Sequence, residues 1–255
     1  MEWTSSNTLL VVLFAGHAIA DFVVQTERIA ARKECETGAM LLHGLATLVT
    51  HALIALPFLT TELLLGIAVL GVAHTLTDFV RRAVVRDIPD RAFPGLMADQ
   101  AAHALAIVAL WWFAAGRTGA APTADWVPCG AAAVIATYGK VAAVAGGLAL
   151  NWKGGTAVVR RLLARYPEVV PQDSGATEHE YAMGRTIGCL ERTLVFGLVL
   201  LEQWGALGFV LAAKSIARFK ELDKKHFADY YLIGTLASML VAVGTGILVR
   251  WLLVG

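Results

Sequence analysis

Apolar runs of roughly 20 residues, separated by shorter polar stretches, repeat along the chain and match the length that crosses a hydrocarbon core about 30 Å thick. They predict spans at 8–26, 40–59, 62–80, 98–115 and 129–150, with a last one at 231–253. A loop rich in Gly, Ala, Pro and Thr, 116–128, separates the fourth span from the fifth. The longest polar stretch, 151–185, reads as a short amphipathic helix followed by a loop. Residues 187–201 are apolar, 202–205 interrupt them, and 206–213 are apolar again. The fold class predicted is an all-α, polytopic transmembrane helical bundle of about seven to eight membrane segments, including a short hairpin. Two regions are expected: a four-helix membrane core at 1–116, and a carboxy-terminal membrane extension at 117–255 whose polar segment lies at about 151–186.

Composition agrees with lipid as the solvent. Of 255 residues, 57% are hydrophobic and 16% charged, against about 25% charged in a soluble domain. A net charge of +1 gives no reason to expect nucleic acid as a partner. The three cysteines, Cys35, Cys129 and Cys189, are scattered and lack metal-ligand spacing. Ala18-Ile19-Ala20 mimics a signal-peptidase site, but Met1 to Asn7 carries Glu2 and no Lys or Arg, so the segment reads as an uncleaved first span. Trp3, Trp126, Trp152 and Trp251 fall at span ends, where interfacial anchors belong.

Loop charges set the expected topology. Arg28, Arg32 and Lys33 follow the first span, and Arg81, Arg82, Arg86 and Arg91 follow the third. Lys153, Arg160, Arg161, Arg165 and Arg185 follow the fifth, whereas the loop after the second has no cation and the loop after the fourth only Arg117. By the positive-inside rule the amino terminus is periplasmic and the basic loops are cytoplasmic, in a multi-pass protein of the bacterial inner membrane. A hairpin turning at Glu202–Gly205 keeps Lys214, Arg218, Lys220, Lys224 and Lys225 on that side. Cysteine labelling at Gln203 from the periplasm tests it, and protection in intact cells would count against it.

Ionisable residues inside the first four spans change the picture from bundle to site. His17, His43, His51, His74 and His103 lie there with Asp21, Asp78 and Asp99. A mid-helix Asp costs roughly 2.5–3.5 kcal/mol on insertion scales, so each carboxylate needs a partner. His17 and Asp21, His74 and Asp78, and Asp99 and His103 are each four residues apart and share one helix face. Spans one and three run inward and span four outward, so the reversed order in span four places all three carboxylates nearer the cytoplasm. At about 1.5 Å per residue the groups form two layers about 6 Å apart, with His43 among the carboxylates and His51 among the imidazoles. That donor set suits one or two divalent metal ions, Zn, Mn or Fe more than Mg. The competing structural reading is a set of His–Asp hydrogen bonds stapling helices together. Gln25 and Gln100 are placed to support the ligands, and Lys33, at the cytoplasmic mouth, reads as an interfacial lysine or an anchor for an anionic substrate.

His17-Ala-Ile-Ala-Asp21-Phe22-Val-Val-Gln25, then Lys33, His43, His74-x3-Asp78 and Asp99-Gln100-x2-His103, resemble a bacterial family of uncharacterised polytopic membrane proteins over about residues 9–115. That family is similar in turn to the inner-membrane metal-dependent hydrolases described as LexA-regulated, which also carry intramembrane His-x3-Asp patterns. The resemblance implies a metal site and, by analogy, hydrolysis. The carboxy-terminal half, with Gly188-x2-Glu191-Arg192 and Lys214-Ser215-x2-Arg218-Phe219, looks like an extension found in some members, and the resemblance implies no activity for it. The hairpin is expected to gather Glu191, Arg192, Lys214 and Arg218, either as an ion-pair cluster closing the bundle or as an anion or lipid-headgroup site.

Three functions remain open. The first is a membrane-embedded metallohydrolase acting from the cytoplasmic side on a phosphoester or amide of a lipid-like substrate. The second is a metal-ion or proton-coupled transporter or channel using the same residues. The third is a non-catalytic membrane subunit with a structural metal. The chain lacks His-Glu-x-x-His, Gly-x-Ser-x-Gly and a P-loop lysine, which removes the familiar soluble mechanisms. The lipid bilayer is the one partner the sequence demands.

Overall fold

Helix is the only regular structure among the described residues, which in the computed structural model are 3–85, 88–118, 132–167 and 178–254. In order they form α1 (Ser5–Ile19), α2 (Glu27–Arg32), α3 (Thr37–Ile54), α4 (Thr61–Val85), α5 (Ala92–Thr118), α6 (Ala132–Ala149), α7 (Gly155–Leu163), α8 (Glu178–Leu200), α9 (Trp204–Ala217) and α10 (Lys225–Val254). Two π-helical turns interrupt this series, at Ala20–Val24 after α1 and at Leu150–Gly154 after α6. Among the described residues, six segments are long and apolar enough to cross a membrane: Ser5–Val24, Thr37–Ile54, Thr61–Val85, Ala92–Ala115, Ala132–Leu163 and Lys225–Val254. The expected loop at 116–128 lies outside the described residues from position 119 onward, as do Cys129 and positions 168–177 of the polar stretch.

The interruption at 202–205 is a tight reversal, so α8 and α9 form a helical hairpin. Gln203 N–H donates to the Leu198 carbonyl at 2.8 Å, and Glu202 takes a positive φ of 58° to make the turn. Lys214 of α9 meets Glu191 of α8 at 2.5 Å across the hairpin.

The chain divides into two compact units, 1–149 with 252–255, and 150–251. In the first, α1 is the central helix. Its spanning segment is 56% buried, against 28–39% for the other five, and it packs against α3, α5 and α6. Lipid gives no hydrophobic drive between helices, so close approach of small residues matters. A Cβ built on Gly146 of α6 would lie 3.0 Å from the Cα of Ala15 in α1. α6, grouped by the sequence with the carboxy-terminal extension, therefore packs within the same unit as the first four spans.

Antiparallel packing segregates this unit lengthwise. Leu9, Val12 and Leu13 of α1, Ile67 and Leu70 of α4, Ile107 and Leu110 of α5 and Ile135 of α6 make an apolar plug at one end. Toward the other end the same helices carry buried His17, His43, His74, Asp78, Asp99 and His103. That polar end is the one joined by α2 and by the α4–α5 connection, where the basic loop residues lie.

In the second unit, α8 is fixed to the π-turn at Leu150–Gly154. Arg192, 4% exposed, donates from Nε to the Asn151 carbonyl at 2.7 Å and from an Nη to the Trp152 carbonyl at 3.2 Å. It also reaches Thr156 Oγ1 at 2.5 Å and Ser238 Oγ at 3.3 Å. These are the carbonyls that a π-turn leaves poorly served, and a buried guanidinium needs such acceptors. Gly155 leaves room for it, since a Cβ there would fall 2.5 Å from Arg192 Nε.

Candidate metal centre

Four donor atoms from two helices and one π-turn converge in the polar half of the first unit. Asp21 sits in the π-turn that ends α1, His43 on α3, and His74 and Asp78 one turn apart on α4. His43 Nε2 and His74 Nε2 are 3.1 Å apart. Asp21 Oδ1 lies 3.3 Å from the first and 3.4 Å from the second. Asp78 Oδ2 lies 3.5 Å from His43 Nε2 and 3.6 Å from His74 Nε2. The expected two layers thus meet: each imidazole is long enough to reach the carboxylate level, so His74 joins His43 between the two aspartates.

Around these four stand the remaining polar residues. His74 and His103 stack with ring centroids 4.0 Å apart, and His17 lies 5.0 Å from His103 and 5.5 Å from His74 by the same measure. Two overlapping groups can hold a metal ion, Asp21–His43–His74 and His17–His74–His103, with His74 common to both. Gln100 links α5 to α1: its Oε1 is 3.3 Å from His17 Nε2, and its Nε2 donates to Asp21 Oδ2 at 3.4 Å and Asp99 Oδ2 at 3.3 Å. Asp99 itself faces outward from the four donors, 3.7 Å from Arg81 Nε and 3.8 Å from His103 Nδ1.

His51 stands apart. Its Nδ1 meets the Thr47 carbonyl of its own helix at 2.8 Å, and its ring packs against Gly16. Lys33 is not an exposed interfacial lysine. It is 7% exposed, donates to both oxygens of Asp78 at 3.1 and 3.0 Å, and donates to Gln25 Oε1 at 3.3 Å.

Arg81 and its partner Glu34 escaped sequence reasoning. Arg81, counted there only as a loop charge, is 8% exposed and bonds Glu34 at 2.8 Å with Asp78 Oδ1 3.6 Å away. The available signal was spacing, since Asp78 and Arg81 are three apart on one helix face. Asp21, Asp78, Asp99 and Glu34 then face Lys33 and Arg81, which leaves two negative charges unmatched when the imidazoles are neutral.

The donor set can be tested against a metal by geometry alone. The three atoms His43 Nε2, His74 Nε2 and Asp21 Oδ1, with sides of 3.1, 3.3 and 3.4 Å, have a centre about 1.9 Å from each vertex, so an ion slightly off their plane meets all three at about 2.0–2.1 Å, the Zn–N and Zn–O distance. Asp21 Oδ1 is buried among these atoms without hydrogen-bond geometry to any partner among the described residues. A dication also matches the two unmatched charges. The residues present fit a divalent metal with nitrogen and oxygen ligands.

The four polar residues expected to gather in the carboxy-terminal half do not all meet. Glu191 and Lys214 pair, Arg192 is spent on the π-turn, and Arg218 pairs instead with Glu221 at 3.2 Å on the surface.

Fold and site together define a helical membrane protein with a buried His/Asp cluster able to hold a metal ion. Residues 9–124 match the model of a family described as a protein of unknown function (DUF3307), so the amino-terminal part of the chain is similar to that family. No curated protein and no solved structure matches the chain. All four converging donors, and His17, Asp99 and His103 beside them, fall inside the matched residues.

Proposed function

We propose that the amino-terminal unit is a membrane-embedded metal centre with hydrolytic activity toward a lipid-like phosphoester or amide, reached from the cytoplasmic face of the inner membrane. The observation that carries it is the convergence of His43 Nε2, His74 Nε2 and Asp21 Oδ1 at 3.1 to 3.4 Å from one another, with Asp78 Oδ2 3.5 and 3.6 Å from the two imidazole nitrogens. These four residues would hold the metal, with Zn, Mn or Fe favoured over Mg by the two imidazoles. A divalent metal there supplies Lewis acidity, which brings the pKa of a water toward about 7.

The chain's own groups supply the rest. Lys33 neutralises Asp78 and fixes its orientation. Gln100 holds Asp21 and His17 in register across two helices. His17 and His103, beside the donors but not among the four, are the groups positioned to take a proton from water. Entry from the basic-loop end is supported by the apolar plug that the described residues form at the opposite end. The same plug weighs against a transport path.

Elemental analysis of purified protein loaded with Zn, Mn or Fe tests the metal, with Asp21→Ala and His43→Ala as controls. About one ion or more per chain, lost in both variants, is expected. Absence of bound metal under every loading condition would overturn the proposal. Stoichiometric metal without turnover of lipid phosphates or lipid amides would leave a structural metal in a non-catalytic subunit.

A further inference from the structure

A second feature of the same unit lies where the α2 segment meets the start of α3. Thr26, Arg28, Ile29 and Arg32 of the α2 segment and Gly38, Ala39 and Leu42 of α3 enclose an open groove of about 470 Å³. Ligand sites commonly measure about 300–1,000 Å³. Its two walls differ in chemistry. On one side stand two guanidinium groups, and on the other an apolar face that includes Leu42, 53% exposed.

The two arginines are not equivalent. Arg32 is held by Glu36 in a two-pronged pair, with Nε 2.9 Å from Oε1 and an Nη 2.6 Å from Oε2. Arg28 is exposed and makes no ion pair among the described residues. Arg28 and Arg32 both act on the one carboxylate of Glu36, so the groove keeps one positive charge in excess beside apolar surface. It lies where the first span has just ended and α3 begins, so the depth is that of lipid headgroups. A cation at headgroup depth over an apolar wall complements one kind of occupant, an amphiphile whose phosphate meets Arg28 and whose chain lies along Leu42.

We propose that the groove between α2 and α3 binds an anionic phospholipid of the surrounding bilayer, with Arg28 on the phosphate and Ile29, Ala39 and Leu42 against the acyl chain. This does not depend on the metal centre being hydrolytic. Gly38 provides a clean probe. A Cβ built there meets no atom within 4 Å, so a large side chain can fill the groove without striking the fold.

The test is native mass spectrometry of the full chain in nanodiscs of mixed phosphatidylglycerol and phosphatidylcholine, with wild type, Arg28→Gln and Gly38→Phe. Wild type should retain phosphatidylglycerol selectively. Arg28→Gln should weaken retention about fivefold, the effect of one juxtamembrane arginine, and Gly38→Phe should abolish it. Thermal unfolding and metal content, unchanged in Gly38→Phe, show that the bundle is intact. Equal retention of both lipids, or wild-type retention in Gly38→Phe, would overturn the proposal. So would release of the lipid by millimolar inorganic phosphate, because the groove would then be reading a free anion and not a lipid.

Discussion

Gly44→Ala strikes the metal centre without touching a ligand. Gly44 follows His43 on α3 and faces Thr75, which follows His74 on α4. A Cβ on Gly44 would lie 2.0 Å from Thr75 Oγ1, 3.3 Å from its Cβ and 3.5 Å from its Cγ2. Unbonded heavy atoms rest at roughly 3.5 Å or more, so the first contact is short by about 1.5 Å. Thr75 cannot simply turn away. Its hydroxyl donates to the Gly71 carbonyl at 2.8 Å, and a β-branched side chain puts another heavy atom in the vacated place. The helices must separate, and overpacking of this kind costs about 1–3 kcal/mol. Metal–ligand distances tolerate only about 0.2 Å, so His43 and His74 cannot stay 3.1 Å apart and absorb the shift. If binding must draw the helices back together, that cost appears as roughly 10- to 100-fold weaker metal affinity. A competition titration against a chelator of known affinity measures it, with thermal unfolding of the metal-free protein alongside. The double variant Gly44→Ala/Thr75→Ala should recover most of the loss, because the remaining contact is the one at 3.3 Å. Wild-type affinity in the single variant, or no recovery in the double, would refute the reasoning.

Other substitutions separate the roles of individual residues. Lys33→Met leaves Asp78 buried without its cation and should destabilise the metal-free protein by about 3–5 kcal/mol; the drop in melting temperature should shrink when metal is bound, and equal drops would argue that Asp78 is not a ligand. Arg192→Leu removes the clamp on the π-turn at Leu150–Gly154 and should cost about 1–3 kcal/mol, read by thermal unfolding, while metal content stays at the wild-type level. The hydrogen bond from Arg32 to Glu36 holds the Glu36 carboxyl below its ordinary pKa, so this pair is intact above about pH 4.3 and is lost only as pH falls through the lowered value. Lipid retention in the α2–α3 groove should therefore be flat between about pH 7 and 5; a rise across that interval would mean that Glu36 had already protonated and freed Arg32.

Much of this was written in the sequence because the relevant periods are short. Spans declare themselves by length, and the His/Asp stripes by four-residue spacing on single helices. What spacing on one helix cannot give is the pairing between helices. His43, His74, Asp21 and Asp78 come from three separate segments, and only packing shows that they meet while His51, on the same face of α3 as His43, does not. Arg81 was hidden by its context, since a cation after a span reads as a topology signal until its neighbours are known. Lys33 was hidden in the same way. Arg192 was visible as a charge in an apolar run, yet its use depended on a π-turn that hydropathy does not register. Arg218 was misjudged because a nearer carboxylate, Glu221, lay three residues ahead.

The two π-turns have a consequence for length that neither helix pattern nor composition reveals. A π-turn holds one residue more than the α-helical path it replaces, and Gln25 N–H closes back five residues onto the Ala20 carbonyl at 2.9 Å. Each unit therefore contains one surplus residue at its polar hinge, beside Asp21 in the first and Asn151 in the second. Deleting a single residue from 22–24 would let α1 run on as regular helix with its ends nearly in place, whereas one further insertion would rotate everything beyond it by about 100°. Gln25 would then turn away from Lys33, whose ammonium it accepts a hydrogen bond from. Chain length at these two places is thus under tighter constraint than side-chain identity along most of the lipid-facing surface.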